Sequence, residues 1–408
     1  MDSKPEVVRR APLILAAAIG VACSATALPF YSIGPLTKPL TEAHGWSRSE
    51  VQTAILFSVG LGALMSPLVG ALVQKYGARR VAMPGLVGLA LSFFLASISG
   101  SSILIFYLAF AGMAVLGAGS SPVSWTRGIA SSFSRQRGFA LGLVLTGTGL
   151  CAIVIPQLVT AMIAWGGVDF ALIGLGMLPL AIALPLAWWL FRPDETPPAN
   201  EAGAPDEASW GISLGEALRG YRFWVIFASI ACIYLAQSGI VANLIPAVTD
   251  TGVSAQAAAN VQSVLGVSIV VGRIAVGYLI DRIWAPGVAA IVTFLPVFAC
   301  LMLPGSDDYF VIMACAVIIG IAAGAELDLL AFLSARYFGL AHYARIYSMF
   351  YAALAVAGGV APFLFAAIYD RFGSYAPAFQ VGAGLFAVGS LILLTLGRYP
   401  QGAGRQPE

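Results

Sequence analysis

Three charged residues set inside long apolar runs concentrate what chemistry this sequence can offer. Arg273 stands inside the apolar stretch 258–282, and Glu326 and Asp328 stand inside 309–333. A guanidinium fits a carboxylate bidentately, supplying charge and orientation together. A charge near the centre of a bilayer costs at least about 2.5–3.5 kcal/mol, so it faces a cavity or a partner. With residue 270 as the midpoint of its stretch, Arg273 lies about 4–5 Å past centre at 1.5 Å per residue. The residues leave open an anion site, a structural pair with Glu326 or Asp328, and snorkelling to the membrane edge. Glu326 and Asp328 are two apart, so on a helix they diverge by about 200° and only one can face a given cavity. They fall about 7–8 and 10–11 Å from the midpoint of their stretch. A carboxylate at such depth is a candidate proton carrier or gate contact, and Glu326 is the favoured titrating group.

Other chemistries lack their residues. Only His44 and His342 are present, and Cys23, Cys151, Cys232, Cys300 and Cys315 lie far apart in apolar runs, so neither a metal site nor a triad is expected. There is no GxxxxGK[ST] loop, which argues against ATP-driven pumping. A net charge of +2 without a basic stripe excludes nucleic acid as a partner. No cofactor is implied. A membrane-embedded enzyme would need clustered acids or a His–Asp pair, and the acids are scattered; no enzyme activity is expected.

The elements that position these charges follow from composition. The chain has 408 residues, 59% hydrophobic and 10% charged, with a mean hydropathy of +0.89. Soluble domains carry about 25% charge, so most of this surface must face lipid. A window of about 19 residues gives twelve spans: 12–34, 50–73, 81–100, 103–127, 138–163, 167–191, 222–246, 258–282, 286–304, 309–333, 344–368 and 374–397. Backbone groups in lipid must be satisfied within each segment, so the spans are helices and the fold is all-α. Lys4, Arg9 and Arg10 precede an apolar run that continues past Cys23 to about Gly34. That run is too long for a signal peptide, and it reads as span 1, retained.

Basic residues orient the chain. Lys38, Arg48 and Arg371 stand on one side and Arg273 lies within a span; the others all fall on the side of the termini. The positive-inside rule then places both termini in the cytoplasm of a bacterial inner membrane. Residues 192–221 contain a proline-rich, acidic linker (Asp194, Glu195, Glu201, Asp206, Glu207, Glu216). It separates a six-span half at 1–191 from another at 222–408. The halves are repeats. Gly70 and Gly277 close spans 2 and 8 at an offset of 207, and Pro156 and Pro362 interrupt spans 5 and 11 at an offset of 206. Two six-helix bundles about an axis along the membrane normal are expected, with a site between them.

At these residues the chain resembles the major facilitator superfamily along nearly its whole length. In that family's loop motif between helices 2 and 3, Gly70, Lys75, Gly77, Arg79 and Arg80 match, while Gln74 replaces the usual aspartate. The second copy keeps Gly277, Asp281 and Arg282. The resemblance implies that these eight residues form an interdomain latch. Within the superfamily the chain looks like the monocarboxylate transporter and oxalate:formate antiporter branch. The segments that carry this are Gly45-Trp-Ser-Arg-Ser-Glu-Val51, Gly138-Phe-Ala-Leu-Gly142, Gly324-Ala-Glu-Leu-Asp-Leu-Leu330, Arg336-Tyr-Phe-Gly339 and the lone Arg273. That branch uses such an arginine to bind the substrate carboxylate. Animal members have an aspartate one turn earlier, where Ile269 stands here, and a helix-1 lysine where Tyr31 stands. Oxalate-type members have a helix-11 lysine, absent here, which argues against a dicarboxylate clamp.

Together these readings predict a secondary transporter of small organic anions, chiefly monocarboxylates, working by alternating access with proton symport and functioning as a monomer in the lipid bilayer. Arg273, Tyr31, Ser121, Tyr234, Gln237 and Tyr351 are the expected substrate contacts. Alternatives are an anion exchanger and an exporter of amphipathic drugs or metabolites. The exporter would carry a denser Gly-Pro motif in span 5 than Gly147 to Pro156 provides.

Overall fold

The computed structural model describes residues 6–133, 137–193, 211–280, 282–339 and 342–399. Asp281 and most of the expected linker lie outside the described residues. Among the described residues the chain is almost wholly helical, and its one β feature is an isolated bridge between Gly211 and Gly339.

Among the described residues nine helices are long and apolar enough to cross a membrane. A tenth crossing comes from Ala11–Ala22 and Ala27–His44, which meet at a bend of 42° and together form span 1. Twelve crossings are consistent with this count for two local reasons. The apolar helix Phe139–Leu190 has 52 residues, about 78 Å at 1.5 Å per residue, far more than the ~30 Å hydrocarbon core. Gly167 breaks it with φ 79° and ψ −172°, so spans 5 and 6 meet there without a loop. Span 4, read as continuous from the sequence, is instead Ile103–Val115 followed by Pro122–Ser132. The first ends at Val115 and is followed by a 3₁₀ turn at Ala118–Ser120; Pro122 has no amide hydrogen and holds Ser121 at an extended ψ of 159°, which starts the second.

The remaining spans are Arg48–Tyr76 (2), Ala78–Ser97 (3), Tyr221–Thr249 (7), Ala255–Ile280 (8), Ala285–Gly305 (9), Tyr309–Phe338 (10), Arg345–Phe372 (11) and Ala376–Leu396 (12). Span 1 runs about ten residues beyond its expected end, to His44, before Gly45 terminates it at φ 72°. A capping box starts span 2. Ser47 Oγ accepts from the Glu50 amide, and the Glu50 carboxylate accepts from the Ser47 amide.

By packing, the chain forms two compact units: Met1–Ala199 with Ala242–Gly266, and Asn200–Val241 with Val267–Glu408. In the first, spans 1 and 3 pack on the long helix that holds spans 5 and 6, span 3 meeting span 6 where Gly176 faces Phe94 and Ala90, and Gly147 of span 5 lies so close to the Ala18 backbone that a Cβ would not fit. In the second, span 10 packs on spans 9 and 11 and span 12 on spans 9 and 11, around the aromatic cluster Phe223, Phe338 and Phe350. Spans 9 and 12 expose Ile291, Phe298, Leu301, Val388 and Leu391, an apolar surface suited to lipid.

Candidate substrate site

Spans 8 and 10 cross within the second unit at two glycines. A Cβ on Gly272 would meet the Ile321 backbone, and one on Gly324 would meet the Ile269 carbonyl and the Arg273 amide. Glycine permits this approach because it brings no side chain. The crossing lies beside Arg273 in span 8 and one turn before Asp328 in span 10. It sets Arg273 Nε 3.6 Å from Asp328 Oδ2, with the two side chains 16% and 39% exposed. At that distance the contact is an ion pair without a good hydrogen bond, and Nε is buried with no hydrogen-bond partner among the described residues. The terminal amino groups of Arg273 likewise make no hydrogen bond to a described residue. The guanidinium thus has one acidic neighbour on its Nε side and an unused bidentate fork.

Glu326 goes elsewhere, as the 200° divergence requires. It lines a cavity of about 20 Å³ with Ser229, Tyr234, Thr293 and leucine side chains, room for about one water. Its Oε1 is buried and has no hydrogen-bond partner among the described residues. Sequence reasoning favoured Glu326 over Asp328 as the functional carboxylate, yet Asp328 is the one that reaches Arg273.

The polar candidates divide between the units. In the second, Tyr234 lines the Glu326 cavity, and Gln237 Nε2 donates to the Ile319 carbonyl at 3.4 Å while its Oε1 has no partner among the described residues. Tyr351 ends a stack along span 11, with ring centroids 5.4 Å apart from Tyr343 to Tyr347 and 6.4 Å from Tyr347 to Tyr351. Tyr347 lies within electrostatic reach of Asp328. In the first unit, Tyr31 packs edge-on to Phe30 at 5.2 Å, and Ser121 Oγ is buried without a hydrogen-bond partner among the described residues. Ser120 is committed to structure, accepting from the Ala25 amide and donating to the Gly117 carbonyl.

The expected latch residues make local contacts. Lys75 sits over the Tyr76 ring at 5.1 Å. Gly77, at φ 88°, forms the corner between spans 2 and 3. Arg79 donates to the Trp188 carbonyl and covers its ring. Arg282 covers Tyr278. No Cβ clash constrains Gly70 or Gly277, and Asp281 lies outside the described residues.

One pair escaped sequence reasoning. Arg48, which the sequence marks only as a basic residue on the side away from the termini and as part of the Gly45–Val51 segment, forms a bidentate ion pair with Asp250, at 2.6 and 2.8 Å. Nothing in the sequence pointed to Asp250, because the contact depends on how the end of span 7 packs.

The chain is 26% identical over 382 residues to Monocarboxylate transporter 11 of Homo sapiens, covering 87% of this chain and 77% of that one. It is 25% identical over 385 residues to the Oxalate:formate antiporter of Oxalobacter formigenes, covering 90% and 88%. A bacterial homolog of the human lysosomal transporter Spinster, solved inward-facing and occupied, superimposes with a TM-score of 0.71 at 16% identity over 100% of both chains. These relatives are transporters, not enzymes. The family model that matches residues 13–325 is that of the Major Facilitator Superfamily, and the chain belongs to that superfamily as a multi-pass membrane transporter.

Proposed function

We propose that the chain carries small monocarboxylates, with Arg273 holding the carboxylate, in symport with protons and by alternating access. The observation that carries the reading is the guanidinium in mid-span, its fork unused and Asp328 its one described acidic contact. Charge arithmetic supplies the coupling. Arg273 and Asp328 sum to zero, so a bound anion leaves the pair at −1 unless a proton arrives with it. Asp328 is the carboxylate placed to take that proton, because protonation frees Arg273 for substrate. Where the resembling animal proteins have an aspartate in span 8, Ile269 stands here, and span 10 offers the carboxylate instead. A dicarboxylate would bring a second negative charge beside Asp328 with no lysine in span 11 to receive it.

In this reading Tyr31, Ser121, Tyr234, Gln237 and Tyr351 orient the bound acid. The repeat halves 1–191 and 222–408 rock about it, joined by the linker 192–221 and latched through Gly70–Arg80 and Gly277–Arg282. The protein acts as a monomer in a bacterial inner membrane with both termini cytoplasmic. Uptake of radiolabelled lactate by proteoliposomes under an inward proton gradient tests the assignment. Wild-type uptake driven by the gradient is expected, with loss in Arg273→Lys, whose ammonium cannot reproduce the fork. Wild-type rates in Arg273→Lys would overturn the site. Anion exchange is the second reading, favoured by likeness to a protein named as an antiporter; counterflow that persists without any proton gradient, alongside absent net uptake, would select it.

A further inference from the structure

The Gly45–Val51 segment builds a holder for one side chain. Gly45 ends span 1 in the left-handed region. Trp46 is buried against Phe106, and its indole N–H donates to the Ser101 carbonyl. Ser47 and Glu50 close the capping box, and Val51 is fully buried. The residue left to project is Arg48, whose side chain is 8% exposed and grips Asp250, 25% exposed.

Both charges sit at the unfavourable end of a helix. Arg48 opens helix Arg48–Ile55, where the macrodipole is positive, and Asp250 follows Thr249, the last residue of span 7, where it is negative. Each is offset by the opposite charge of the other, held in a bidentate contact. Around them, residues 242–266 meet spans 1, 2 and 5 of the same unit through polar contacts. Gln52 Nε2 donates to Thr37 Oγ1 at 3.0 Å and to the Ala242 carbonyl at 3.2 Å. Gln157 Nε2 donates to Asn260 Oδ1 at 2.7 Å and Ser263 Oγ at 3.1 Å, and Gln157 accepts from Gln256. Ser263 donates to the Ile153 carbonyl. Beside this seam lies a cavity of about 530 Å³, lined on one side by Lys38, Glu42 and Thr160 and on the other by Pro246, Thr249 and Gln256. The rest of the lining is mostly apolar, but the volume has room for water beside Lys38, Glu42 and Gln256.

A seam of hydrogen bonds next to a cavity roomy enough for water exchanges its partners for water at little net cost, unlike an apolar core. We infer that Arg48 and Asp250 are positioning residues of the transport cycle: their ion pair locks the 242–266 hairpin onto spans 1, 2 and 5, and its rupture sets how fast that membrane face opens. The face is the one opposite the N-terminus, since span 1 ends there. The inference rests on the chain being a transporter and not on monocarboxylates as its cargo.

The test reads opening directly. Ala242, buried in the seam, is replaced by cysteine in a background whose five native cysteines are changed to serine, and labelling by a membrane-impermeant maleimide is timed in intact membranes. A control cysteine at the buried Ala90 of span 3 reports general loosening. Arg48→Gln and Asp250→Asn are expected to speed labelling at 242 by at least about tenfold, by shifting the population toward the open seam, with no change at 90. The exchanged pair Arg48→Asp with Asp250→Arg is expected to slow labelling again, because it restores the contact. Equal labelling in the single variants and the parent overturns the inference, as does acceleration at both positions or an exchanged pair as fast as the single variants. If a single variant fails to accumulate, the exchanged pair against Arg48→Asp alone decides in the same way.

Discussion

Gly324 faces the backbone amide of Arg273: a methyl group added at Gly324 would stand 2.8 Å from that nitrogen and closer still to the Ile269 carbonyl oxygen. The closeness of spans 8 and 10 is therefore part of the site, because it brings Asp328 to Arg273. Gly324→Ala forces the helices apart at a cost of about 1–3 kcal/mol, the range for overpacking a tight contact. A lower melting temperature is expected, together with loss of stabilisation by added lactate. A variant that melts lower yet is stabilised by lactate as much as wild type would show that the crossing holds the fold alone.

Asp328→Asn removes the acidic neighbour of Arg273 while keeping its shape. If Asp328 takes the coupling proton, the variant binds anion without needing one. Proton-driven net uptake is expected to collapse while exchange of internal for external lactate continues. Retained acid-driven uptake in Asp328→Asn would assign the proton to another group.

The sequence made the helices legible because hydropathy dominates in lipid: each charge-poor run of about 20 residues is helical near its expected place, broken only in spans 1 and 4. It misjudged span 4, where Pro122 acts on Ser121 locally while the surrounding hydropathy stays high. The importance of Arg273 was legible from rarity alone, a lone guanidinium deep in an apolar run. Its partner was not. Asp328 and Glu326 differ in sequence only by position, and which one meets Arg273 is decided by the rotation of span 10 at Gly324, a packing outcome. Arg48 was visible as a residue but not as an interaction, because Asp250 lies 202 positions away and carries no motif of its own.

Glu326 tests the separation of the two carboxylates. It faces a cavity with room for about one water and makes no contact with Arg273. Glu326→Gln preserves size and hydrogen bonding, so the variant is expected to keep at least half of wild-type proton-driven uptake. Loss of coupling in Glu326→Gln with coupling intact in Asp328→Asn would exchange their roles.

Outside the spans, Glu216 caps the short helix Leu214–Arg219. The backbone amide and then the hydroxyl of Ser213 hold its carboxyl below the usual range. A depressed value in the folded state means that its contribution is present above the unfolded value of about 4.3 and is lost as pH falls through the folded one. Hydrogen-exchange protection of Leu214–Arg219 is expected to fall as pH drops below the ordinary carboxylate range in the wild type and to be low and flat there in Glu216→Gln. Equal protection in both proteins at pH 6 would rule the cap out.

The same motif at Ser47 has a larger consequence because of what it carries. Ser47→Ala removes an N-cap, a loss of about 0.5–2 kcal/mol, and frees the first turn of span 2, where Arg48 is the first residue. The loss should be local, since Trp46 still anchors the chain to Phe106. Arg48 is then less well aimed at Asp250, so labelling of a cysteine at Ala242 is expected to rise in Ser47→Ala, by less than in Asp250→Asn. Combining the two substitutions separates aiming from anything else the cap does. Once Asp250 no longer offers a charge there is nothing left to aim at, and Ser47→Ala should add little to Asp250→Asn. A full additive increase in the double variant would mean that the cap holds the seam by a route independent of the ion pair.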